Sequence, residues 1–281
     1  MVGRFYQHLK QHYLIEVVND CEAARVASVE KYTLNGVQKR LAWIVLAIIF
    51  CLMFVRFAGN EGDLKWVGGL LRVFGMDAQA DSFVKLLDGR NPDGQLWRRV
   101  WWAAARVMGY GVLPILITRA LTGMTLADLG LGFGELRKHV KVYALLWIIM
   151  MPSIVLASYG QGFQTKYPYY KLGPKEAIWP NFILWECLYT ANFAALELFF
   201  RGFSIRALRP LIGYASIFLM MAPYAMIHFG KPLLEAIGSV ITGFVLGTLS
   251  VKHRSIWGSV FLHVSAAVSM DWLSLWHQGR L

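Results

Sequence analysis

Glu197, Arg201, His228, His263 and Asp271 stand inside long apolar runs of this 281-residue chain, together with Arg106 and Glu186. An ionisable group inside hydrocarbon costs about 2.5–3.5 kcal/mol or more, so each calls for a reason. A carboxylate and two imidazoles can hold and deprotonate a water, and a protonated imidazole can donate to an oxyanion. Together these are the parts of a hydrolase. The same three groups could serve as a proton relay. Glu197, His228 and His263 could also bind zinc, which takes Glu and His ligands. No other cofactor is implied. Glu197 and Arg201 are four residues apart, so on a helix they share a face and can pair, keeping the carboxylate ionised. Tyr224 and His228 have the same spacing.

The elements that must position these groups are membrane helices. Of the chain's residues 57% are hydrophobic and 16% charged, against about a quarter charged in an ordinary soluble domain, and the apolar residues fall in long blocks. The fold class expected is all-α: one polytopic membrane helix bundle of about seven transmembrane helices, seven to eight. Residues 1–40 read as a cytosolic N-terminal segment, an amphipathic helix lying on the membrane, and 41–281 as the bundle. The spans are expected at 41–58, 97–121, 140–158, 180–208, 213–229, 233–251 and 256–276, each close to the ~20 residues that cross a bilayer. Asn91-Pro92-Asp93-Gly94 is a strong turn signal before the second span.

Counting at about 1.5 Å per residue from the presumed cytosolic ends gives each group a depth. Glu197 lies about 16 Å in, His228 about 22 Å and His263 about 12 Å, three helices meeting in one layer roughly 10 Å thick. Asp271, about 24 Å up, is at the layer's edge, and Glu186, about 33 Å up, is placed to snorkel at the far interface. Gly243 and Gly247 form a GxxxG spacing on the sixth span, read as close packing inside the bundle.

The formal charge of +11 raises the question of nucleic acid. The basic residues sit beside or between the apolar blocks, where they orient a membrane protein and meet anionic lipid, so membrane lipids and not nucleic acid are the expected partners. Arg119, Arg137, Lys138, Lys141, Arg206, Arg209, Lys252 and Arg254 fall on the side of the N-terminus, which places that terminus in the cytosol. Cys21, Cys51 and Cys187 form no CxxC pair, no early apolar run suggests a cleaved signal, and Gly-Arg-Leu at the end is not a prenylation box. The location expected is a bacterial inner membrane.

Leu196-Glu197-Leu198-Phe199-Phe200-Arg201-Gly202-Phe203 resembles the first motif, EExxxR, of the CAAX-protease and bacteriocin-processing family of intramembrane glutamic endopeptidases. Tyr224 to His228 resembles its second, FxxxH, and Ser255-Ile256-Trp257 leading to His263 resembles the approach to its third, HxxxN. Asp128-Leu129-Gly130-Leu131 is similar to an upstream feature, and the resemblance covers about residues 120–275. It implies an intramembrane endopeptidase acting on a membrane-protein or lipidated-peptide substrate. Glu197, His228 and His263 would be catalytic, with Arg201 and Tyr224 supporting them. Glu197 and His228 would activate the water, and His263 would donate to the oxyanion. Two positions depart from the pattern: Leu196 replaces the first Glu, whose position the family uses for the base, and Ala267 replaces the Asn. Asp271, one turn past Ala267, is the candidate to supply that lost polar partner and orient a histidine. The alternative reading is an inactive relative serving as an immunity factor or binding scaffold; a small transporter or proton relay is the third.

Overall fold

The computed structural model describes residues 7, 10–59, 65–86 and 94–281. Among them helices are the regular elements, with no strand. A π turn at Gln11–Ile15 leads into α1 (Glu16–Lys31). The succeeding helices are α2 (Leu34–Ala58), α3 (Lys65–Val73), α4 (Asp77–Leu86), α5 (Gln95–Thr122), α6 (Leu136–Ser158) and α7 (Gln161–Lys166). The last four are α8 (Ile178–Ile212), α9 (Ala215–Met226), α10 (Leu233–Lys252) and α11 (Trp257–His277).

A helix occupies each of the seven places where a span is expected. Five of these helices, α2, α5, α6, α8 and α10, are long and apolar enough to cross a membrane. α9 is apolar but only 12 residues long. α11 has the length, 21 residues, but carries His263, Asp271, His277 and several serines along it. The turn expected at 91–94 falls outside the described residues except for Gly94, which opens a helix.

α2 begins at Leu34, before the expected boundary at 41, because Thr33 caps it: Thr33 Oγ1 accepts from the Gly36 amide at 3.2 Å. α1 docks on the bundle, burying Val17 and Cys21 in the main core. Arg209 donates to Asp20 at 2.7 Å, and Glu22 accepts the Tyr214 amide at 3.0 Å, beside Gly213 at φ +60°. The Tyr214 amide and then Arg25 hold the Glu22 carboxyl below its ordinary pKa. A carboxyl depressed by folding stabilises the docked state above its unfolded pKa, and that stability is lost as pH falls through the folded value. Glu22→Gln should therefore lower the protection factors of the α1 amides, as should acidifying the wild type from about pH 7 to about pH 3, each rate being divided by the intrinsic exchange rate at its own pH. Protection factors that stay constant over that range would contradict the docking role.

Two π-helical segments face one another at the centre: Met108–Val112 in α5 and Leu198–Ser204 in α8. Such wide turns are frequent at functional sites. Tyr110 from the first packs on Phe199 and Phe200 of the second, with ring centres 5.2 and 6.0 Å apart. Gly109 permits the contact between α5 and α2, since a methyl there would stand 2.4 Å from Val55 Cγ2. The GxxxG glycines likewise serve packing inside the bundle. A methyl on Gly243 would meet Tyr224 at 3.2 Å, and one on Gly247 would meet Ile217 at 3.2 Å, both on α9.

Candidate active site

α8, α9 and α11 bring the sequence-selected residues to one place. Glu197 and Arg201 lie one helical turn apart on α8, both fully buried, and Arg201 Nη1 donates to Glu197 Oε1 at 3.2 Å. Nδ1 of His263, reaching across from α11, lies 2.7 Å from the same Oε1. A carboxylate only accepts, so Nδ1 carries the proton and Nε2 of a neutral His263 holds the lone pair. At His228, Nδ1 stands 2.8 Å from the Tyr224 carbonyl, which also only accepts, and this again leaves Nε2 as the acceptor. Tyr224 joins the two halves of the site. The Arg201 guanidinium carbon lies 4.0 Å from its ring centre, and its ring meets that of His228 edge-on at 4.9 Å. Phe193 covers His263 with ring centres 4.4 Å apart.

Both histidines line a cavity of about 470 Å³ bounded mainly by α5, α6, α8, α10 and α11. Leu196 and Ala267, the two departures from the family pattern, line this same cavity. Glu197 does not: adjacent helix residues are rotated by about 100°, so with Leu196 turned to the cavity Glu197 faces Arg201 and His263 behind it. Glu197 thus meets the cavity wall only through its contact with His263. Glu197 Oε2 is buried with no hydrogen-bond partner.

Asp271 belongs elsewhere. It accepts from the Tyr169 amide at 2.9 Å and from Trp185 Nε1 at 3.1 Å, which ties α11 to the aromatic cluster of Trp102, Tyr170, Trp185 and Tyr189. The expectation that it orients a histidine is corrected, because its two oxygens face a backbone amide and an indole. Glu186, expected to snorkel, is 8% exposed and sits in that same region. Its side chain turns inward beside Asp271.

Asn192 was missed by a search confined to ionisable groups. It is 1% exposed, its Oδ1 has no partner, and it lines the cavity one turn before Leu196. A lone amide inside an apolar span was the available signal. Lys231, Glu235 and Tyr167 form a polar cluster on another part of the wall: Lys231 Nζ donates to Glu235 at 2.8 Å and to the Tyr167 hydroxyl at 3.0 Å. Among the described residues no three of His, Cys, Asp and Glu are placed to hold a metal.

Residues 178–269, about a third of the chain, match the family model described as Type II CAAX prenyl endopeptidase Rce1-like. No curated protein and no solved structure matches the chain. The matched segment contains Glu197, Arg201, Tyr224, His228, His263, Leu196 and Ala267, and excludes Asp128 and Asp271. The chain is thus a helical integral membrane protein related to the CAAX proteases through the segment that carries the site.

Proposed function

We propose that this relative of the type II CAAX prenyl endopeptidases is an intramembrane endopeptidase in which His263, oriented by Glu197, is the general base. The observation that carries the reading is the 2.7 Å contact between His263 Nδ1 and a fully buried carboxylate, with His263 itself on the cavity wall. A carboxylate behind an imidazole fixes its tautomer and stabilises the imidazolium, the arrangement used in Ser-His-Asp hydrolases.

A water in the cavity gives one proton to His263 Nε2 as its oxygen attacks the scissile carbonyl carbon. His228 Nε2 accepts the water's other hydrogen and fixes its direction. The Asn192 amide is the donor available to the oxyanion, in place of the Asn that Ala267 lacks. Collapse breaks the C–N bond as His263 returns its proton to the nitrogen, leaving a carboxylic acid and an amine; the acid's proton, already directed at His228, then passes to the amine to give carboxylate and ammonium. Arg201 neutralises Glu197, and Tyr224 supports both Arg201 and His228. The mainly apolar cavity wall suits a segment of a membrane protein or a lipidated peptide as substrate. The setting proposed is a bacterial inner membrane with the N-terminus in the cytosol.

The test is cleavage of a membrane-substrate library by the purified full-length chain in heavy-oxygen water. Hydrolysis places a heavy oxygen in each new carboxylate. Cleavage products without it would exclude attack by water, and an absence of products would exclude the enzyme. Leu196 and Ala267 on the cavity wall favour a second reading, in which the site binds a membrane peptide without cutting it.

A further inference from the structure

Arg106 has no part in the catalytic reading, yet it lines both the active-site cavity and a second hollow of about 630 Å³. This hollow lies between α2 and α9, walled by Val45, Ile49, Leu52, Leu219, Pro223 and Met226. Its charge is confined to one end. Arg56, exposed in the last turn of α2, stands there with Arg106, and no carboxylate is among the described residues lining it. Two contacts bring the arginines to the same level. Gly109 of α5 abuts Val55, and Trp101 Nε1 donates to the Ala58 carbonyl at 2.7 Å, which puts Arg106 beside the end of α2. The Arg106 guanidinium carbon lies 4.2 Å from the Trp102 ring centre, while its Nε is buried with no hydrogen-bond partner.

The dimensions identify an occupant. From Val45 to Arg56 the hollow runs about 16 Å along α2. One leaflet of bilayer hydrocarbon is about 15 Å thick, half of the ~30 Å core. A groove one leaflet long, apolar along its length and cationic at the end nearer the helix terminus, matches an acyl chain and its phosphate. Guanidinium groups suit phosphate because their N–H fork pairs with two oxygens at once.

We propose that this hollow is a site for one anionic phospholipid, its acyl chain laid along α2 and its phosphate held between Arg56 and Arg106. The site does not depend on the catalytic reading and would exist equally in a non-cleaving protein.

Native mass spectrometry of the full-length chain in detergent tests it, using phosphatidylglycerol and phosphatidylcholine with identical chains. The wild type should retain phosphatidylglycerol preferentially. Arg56→Gln, on an exposed side chain whose loss leaves the fold intact, should weaken that retention about tenfold, the effect of one charge-assisted contact. Arg106→Gln should do the same, and Arg56→Lys should keep most of the preference. Ile49→Trp should obstruct the groove and reduce binding of both lipids. Equal retention of the two lipids by the wild type, or a preference indifferent to both arginines, would overturn the proposal. So would displacement by glycerol phosphate as readily as by intact lipid, because the acyl groove would then contribute nothing.

Discussion

Glu197→Gln should both destabilise and silence the protein, and the two effects should be separable. Arg201 is fully buried, and Glu197 is the carboxylate it pairs with. Removing one member of a buried ion pair leaves an uncompensated charge, at a cost of about 3–5 kcal/mol, which a melting curve in detergent would register as a large drop. Replacing both members by apolar residues of similar size is often close to neutral. Glu197→Leu combined with Arg201→Met should therefore recover most of the lost stability. Proteolysis should stay down by roughly 10³–10⁴-fold in the single and the double variant alike, since His263 has lost the carboxylate that fixes its tautomer and stabilises its charged form. A double variant that regains activity along with stability would reduce Glu197 to a structural role.

His263→Ala should abolish cleavage by a similar factor, roughly 10³–10⁴, with a much smaller change in melting temperature. Glu197 keeps Arg201 in that variant, and the His263 side chain is partly exposed to the cavity, so no buried charge is stranded. Added imidazole should restore part of the rate in His263→Ala, because the cavity has room for a free base beside Glu197. The same rescue should fail when Glu197 is also changed to Gln. Full activity in His263→Ala would remove the proposed base.

The sequence already held the helix positions and the meeting of Glu197, Arg201, Tyr224, His228 and His263, because these depend on spacing. Four-residue intervals put pairs on one face, and residue counts along the spans put α8, α9 and α11 at one depth. What the sequence did not reveal depends on rotation about helix axes and on packing. The depth count placed Glu197 in the same layer as His263, but it could not say that Leu196 would face the cavity and Glu197 the histidine. Asp271 was one turn from Ala267 on paper, yet Tyr169 and Trp185 claim its oxygens from a loop and from α8. Docking of α1 rests on Asp20 and Glu22 meeting Arg209 and Tyr214, residues almost two hundred positions away with no local signal. Hydropathy begins α2 at the apolar run, whereas the helix starts where Thr33 caps it.

The departure at Leu196 supplies the most direct test of the central claim, that His263 backed by Glu197 performs the chemistry without the family's first carboxylate. The measurement is cleavage of a membrane-substrate library by wild type, His263→Ala and Leu196→Glu side by side. The account predicts that the wild type cleaves and that His263→Ala does not. Leu196→Glu should cleave no faster than the wild type, since it adds a carboxylate to a cavity that already has its base. A silent wild type with cleavage appearing only in Leu196→Glu would contradict the account and identify the cavity as a binding site that has lost its catalyst.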